Sequence, residues 1–222
     1  MLTISANPLL NPTRISVAGV ESDLKRLPHL NGDRRHVAKE AKRRYQDARQ
    51  AQDAIAAISR LPDPDEAIHL AISGRFALWD LVPAVLTLAG CNIAELRIAT
   101  LGFSKRNIDS LCQLLDSGKI GKAALLCSHY FKGTSGDIYE HAVTELSARG
   151  AAFISLRQHA KLLLMQLTDG RTVSVESSAN LRSCKNIETM TLIGDPGVYR
   201  FHAGWIDELF AAGTGTKDGA SK

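Results

Sequence analysis

The sequence predicts an α/β protein, a mixed β-sheet with helices on both faces. From Glu66 onward, short strand-type runs alternate with helical periods, the order that builds crossover-connected sheets. Residues 161–167, Lys-Leu-Leu-Leu-Met-Gln-Leu, form an apolar run. Thr168-Asp169-Gly170-Arg171 then separates it from the alternating Thr172-Val173-Ser174-Val175-Glu176. A four-residue link joins antiparallel strands only, so the sheet is mixed.

Taken in order, residues 1–32 hold Pro8, Pro12, Pro28 and Gly32 with no sustained period and read as an irregular arm. Asp33 is a suitable N-cap for a helix running to about Arg60, rich in alanine and stopped by Leu61-Pro62-Asp63-Pro64. Ala67–Ser73 reads as a strand, Ala77–Ala89 as a helix and Ile93–Leu101 as a strand, followed by a helix that Ser104 would cap. Lys122–Ser128 is the next strand and Ile138–Arg149 the next helix. Ala152–Leu156 precedes the hairpin, Ile187–Ile193 follows it, and Tyr199–Ala212 closes with an amphipathic helix. The Gly-, Thr- and Lys-rich stretch 213–222 reads as a disordered tail. The expected organisation is therefore an arm and basic helix over 1–64, a catalytic domain over 65–212 and the tail.

With 222 residues, 45% of them hydrophobic, the chain can bury one substantial core. The longest apolar stretch, Leu78–Ala89, contains Asp80 and Pro83 and is too short to span a membrane. The first residues lack a signal-like pattern, so a cytoplasmic location is expected. Cys91, Cys112, Cys127 and Cys184 are widely spaced with no CxxC pair, and the seven histidines show no HExxH spacing. Buried thiols are expected, with no metal and no cofactor.

Charge is concentrated. Between Asp33 and Gln50 stand seven basic residues, Arg34, Arg35, Lys39, Lys42, Arg43, Arg44 and Arg49, against three acidic ones, Asp33, Glu40 and Asp47. Such a stretch attracts nucleic acid or an anionic surface, and Arg34, Arg35, Lys42 and Arg43 are the expected contacts to a phosphate backbone. In open α/β sheets ligands bind beyond the carboxyl ends of the strands, which nominates Ser73-Gly74-Arg75, Gly102-Phe103-Ser104 and Ser128-His129-Tyr130 as pocket edges, with Arg75 and His129 as the expected substrate contacts.

The densest chemistry lies between His159 and Glu188. His159 and Lys161 are two apart on an extended segment and share a face. The hairpin returns Ser178 and Asn180 toward them, and Glu188 opens the next strand. A neutral imidazole can attack phosphorus, while an ammonium and a carboxamide hold the non-bridging oxygens. Glu188 would accept the second imidazole N–H, fixing the tautomer. No metal is required by this set.

These residues resemble the phospholipase D superfamily, whose signature is HxKxxxxD followed by a GSxN-like segment and a later Glu. The match covers His159, Lys161, Ser178, Asn180 and Glu188, with a compatible element order over roughly residues 65–212. It departs at Gln166, which stands at the motif's Asp position, and at Ser177, which stands at its Gly. The resemblance implies a phospholipase D-like fold and a phosphohistidine intermediate on His159. Family members generally use two such motifs and this chain has one, so a homodimer would supply the second histidine. With the basic helix, the expected activity is a metal-independent nuclease, DNA ranking ahead of RNA. A phospholipase or small-diester phosphodiesterase, or a catalytically weak nucleic-acid-binding protein of the same fold, are the competing expectations.

Overall fold

The computed structural model describes residues 46–182 and 186–215. By contact the chain falls into units Met1–Gln46 and Asp47–Lys222, and the fold below is that of the second. The expected arm, the cap at Asp33 and the basic residues Arg34, Arg35, Lys42 and Arg43 lie outside the described residues, as does Cys184.

The first described helix, α1, covers residues 46–58. It buries Ala54 and Ile58 on one side, with Ile55 partly covered. It ends where Ser59 takes the left-handed conformation at φ 56, ahead of the expected Pro62 and Pro64 stop. Seven strands follow: β1 (Ala67–Ser73), β2 (Ile93–Thr100), β3 (Ile120–Ser128), β4 (Ala152–Leu156), β5 (Leu162–Leu167), β6 (Thr172–Ser177) and β7 (Ile187–Ile193). They form one sheet in the order β1-β7-β6-β5-β2-β3-β4. The pairs β2–β3 and β3–β4 are parallel; β2–β5, β5–β6, β6–β7 and β1–β7 are antiparallel. The sheet is mixed, as the short hairpin link requires. Gly170 allows that turn at φ 90, and Asp169 holds it by accepting from Arg171 N at 3.1 Å.

The helices are α2 (Leu81–Ala89), α3 (Lys105–Asp116), α4 (His129–Thr134), α5 (Gly136–Ser147) and α6 (Pro196–Gly215). The expected helix from Ala77 is split. A 3-10 turn covers Leu78–Asp80 and α2 begins at Leu81, which places Pro83 in the first turn, where no intrahelical N–H is missing. Ser104 caps α3 as expected, its Oγ accepting from Asn107 N at 3.3 Å. Helix α6 starts three residues before the expected Tyr199, at Pro196. Asp195 accepts from Gly197 N at 2.6 Å there, and the helix continues through Gly215 into the expected tail, whose residues 216–222 lie outside the described ones.

Neighbouring β2 residues show two covered faces. Leu96 and Ile98 join the large cluster containing Phe103, Ile108 and Leu111, whereas Ala99 joins Leu126, Leu164, Tyr199 and Ile206 on the other side. Helix α6 covers that second face and is tied to it by Arg97, 8% exposed on β2. Its guanidinium donates to Asp207 at 2.7 and 2.9 Å and to the Tyr199 hydroxyl at 2.9 Å, with Glu95 at 3.0 Å. A guanidinium so buried is tolerated because its N–H groups meet charge and hydroxyl acceptors together.

Candidate active site

Strand directions bring the carboxyl ends of β1, β2, β3, β4 and β6 and the amino ends of β5 and β7 to one edge of the sheet. All five motif residues stand along its middle. Leu162 pairs with Glu176 across β5–β6, and Ser177 N donates to Lys161 O at 3.1 Å, so the hairpin returns Ser178 and Asn180 beside the histidine. On the opposite flank of β5, Leu162 pairs with Ala99, which sets the end of β2 alongside.

Lys161 Nζ lies 3.1 Å from His159 Nδ1 and donates to His159 O at 3.0 Å. Partial burial lowers the lysine pKa, and the Glu188 carboxylate offsets part of that by stabilising the ammonium. Ser178 Oγ donates to Glu188 Oε2 and accepts from Thr189 N at 3.0 Å. Glu188 therefore meets Ser178 and acts on Lys161, while the Nδ1 position expected for Glu188 is occupied by Lys161 Nζ.

Asn180 is oriented from a distant strand. Its Oδ1 accepts from Leu101 N at 3.1 Å and from Thr100 Oγ1 at 3.4 Å, which commits the carbonyl and leaves the Nδ2 donor without a described protein partner. Thr100 also receives Leu181 N at 3.4 Å on its Oγ1 and Gln158 Nε2 at 2.7 Å on its carbonyl. It is the hub joining β2 to both sides of the site.

The two departures from the signature have local explanations. Gln166 sits toward the far end of β5, exposed between Glu95 and Thr172, away from the edge that carries His159. Ser177 uses its hydroxyl twice: it accepts from Ala179 N at 2.9 Å and donates to Thr189 O at 3.1 Å. A glycine there would lack both bonds.

Arg75 lies on the same edge, in the bend after β1, exposed and without a described partner. His129 turns its Nδ1 toward Ser155 Oγ on β4, 3.4 Å away, and does not line the groove beside His159. That groove, about 580 Å³, is bounded by Leu101, Ser128, Tyr130, Arg157, Gln158 and His159. Ser128 and Tyr130 belong to a strand end the sequence nominates as a pocket edge, whereas Arg157 and Gln158 escaped the sequence reading. The signal was adjacency: two hydrogen-bonding residues directly before the histidine. Among the described residues no group of three His, Cys, Asp or Glu side chains is placed to hold a metal ion. No described helix is long and apolar enough to cross a membrane.

No protein-family model and no curated protein matches the chain. Among solved structures it is similar to a polyphosphate kinase from Porphyromonas gingivalis, with 15% identity and a TM-score of 0.48 over 70% of this chain and 27% of the kinase. It is also similar to TrmBL2, described as an archaeal chromatin protein with a novel mode of DNA binding. There the identity is 13% and the TM-score 0.45, over 82% of this chain and 66% of that one. At such values these matches establish neither family nor activity.

Proposed function

We propose that the chain is a phospholipase D-like, metal-independent phosphodiesterase acting on nucleic acid, with His159 as nucleophile. The observation that carries this reading is the 3.1 Å approach of Lys161 to His159 Nδ1 on the edge where Ser178, Asn180 and Glu188 converge. An ammonium against an imidazole lone pair is a site waiting for an anion.

Facing the Lys161 ammonium, Nδ1 is the acceptor and Nε2 carries the ring proton. A bound phosphodiester draws the ammonium onto a non-bridging oxygen and frees Nδ1. The proton then moves to Nδ1, and the Nε2 lone pair faces phosphorus. Attack forms the N–P bond as the bond to the leaving oxygen breaks, and that oxygen takes a proton from an acid. A second copy of His159, across a homodimer twofold axis, supplies the acid and afterwards deprotonates the water that cleaves the N–P bond. Asn180 Nδ2 and Lys161 hold the equatorial oxygens throughout.

The test is turnover of DNA and RNA with EDTA present, parent against His159→Ala. His159 is exposed, so the variant folds. EDTA-resistant cleavage lost in His159→Ala supports the reading; cleavage equal to the parent's removes His159 as nucleophile. Phospholipid and a chromogenic diester in parallel separate the phospholipase alternative, and binding without turnover identifies a weakly catalytic binder.

A further inference from the structure

We infer that the groove beside His159 is a subsite for one unpaired nucleobase of the substrate strand, so that single-stranded nucleic acid is the preferred substrate. The inference rests on the phosphodiesterase reading of His159 and names what lies next to the reacting phosphate.

Two exposed side chains on the groove point to the ligand. Tyr130 stands 71% exposed just past the carboxyl end of β3. Its position is fixed from below, because Tyr130 N donates to the nearly buried Ser128 Oγ at 3.3 Å. Its ring packs against no other aromatic among the described residues, and most of its surface is open to a planar guest. Arg157, exposed on the same groove, has no described carboxylate partner. This contrasts with Arg60, Arg97, Arg149 and Arg171, each held by Asp or Glu. Gln158 is locked by its Nε2 bond to Thr100 O, and its Oε1 is buried beneath the groove without a hydrogen-bond partner among the described residues.

A planar stacking surface beside an exposed guanidinium suits a heterocycle followed by a phosphate. An acyl chain would find only Leu101 as an aliphatic wall, and inorganic polyphosphate would make no use of the tyrosine ring. A base enters the groove only when splayed out of a duplex, which is the origin of the expected preference for single strands.

The test measures binding of fluorescent single-stranded DNA and RNA oligonucleotides by anisotropy, on full-length protein in the His159→Ala background. Each oligonucleotide is made intact and with abasic residues along its length. Tyr130→Ala should weaken binding of the intact strand about tenfold, and Tyr130→Trp should restore it. On the abasic strand Tyr130→Ala should have no effect, because the base that stacked is already gone. Equal loss on intact and abasic strands overturns the inference while leaving the phosphodiesterase reading in place. Failure of the EDTA-resistant cleavage assay on both nucleic acids, with no oligonucleotide binding, overturns both. Comparison of the DNA and RNA arms shows which sugar the subsite accepts.

Discussion

Asn180→Asp is the most demanding test of the proposed role of the carboxamide, because Oδ1 is bonded within the protein while Nδ2 has no partner among the described residues. Oδ1 accepts from Leu101 N at 3.1 Å, and an aspartate in that place keeps this bond. The Nδ2 donor is what the substitution removes. Loss of one oxyanion donor costs about 3 kcal/mol in the transition state. The new carboxylate also faces the phosphoryl oxygens, and two like charges ~4 Å apart at an effective dielectric near 20 repel by up to ~4 kcal/mol. Together these place kcat/KM for Asn180→Asp ~10²- to ~10⁵-fold below the parent. Asn180→Ala loses the donor without adding charge, so it should be only ~10²-fold slower, yet about 1 kcal/mol less stable for want of the Leu101 bond. The assay is EDTA-resistant turnover paired with urea unfolding of all three proteins. An Asn180→Asp protein that folds like the parent and cleaves within tenfold of it refutes the assignment of Nδ2 as an oxyanion donor.

Three further outcomes are expected. The rate should fall on an alkaline limb below the ordinary lysine value of 10.5, since burial lowers the Lys161 pKa, and Glu188→Gln should move that limb lower by removing the charge that supports the ammonium. A pH–rate profile unchanged by Glu188→Gln would sever that link. Asp80, 7% exposed, has its carboxyl pushed up to about 6 by burial from an ordinary 3.8, so the folded state holds the proton more tightly than the unfolded chain. Stability from this group is therefore full below about pH 4, falls by roughly 3 kcal/mol as pH rises to about 6 and is level above. Asp80→Asn should stabilise the protein at pH 7 and flatten the urea midpoint between pH 4 and 6. The active species should have a dimeric mass by light scattering, and full activity at monomeric mass would defeat the two-histidine scheme.

Much of the architecture is visible in local sequence, where one physical signal dominates. The Asp169-Gly170 turn between two apolar runs fixes β5 and β6, and the serine before α3 announces its cap. Helix α4 has six residues, too few for a helical period to emerge. The start of α6 was written in Asp195-Pro196, a cap followed by a first-turn proline, and went unread because apolar spacing begins only at Tyr199. At the site, His159, Lys161, Ser178, Asn180 and Glu188 were legible as chemistry, and the structure gathers them on one edge. Their orientations were not legible. The carboxamide of Asn180 is set by a backbone N–H 79 residues away, and the imidazole partner is Lys161 where a carboxylate was expected. Long-range hydrogen bonds of this kind leave no periodic trace.

The bonds across the end of β6 and the start of β7 also bear on how such a protein can change. Ser178 N reaches Thr189 O at 3.0 Å, Thr189 N returns to Ser178 Oγ, and Ser177 Oγ donates to the same Thr189 carbonyl. The chain is thus fastened immediately before the segment that begins after Asn180 and again immediately after Glu188. Ser178 and Glu188, ten residues apart in sequence, are thereby held side by side through bonds between neighbouring strands. Their spacing is a property of the sheet and is carried by backbone groups that every residue other than proline would supply at those positions.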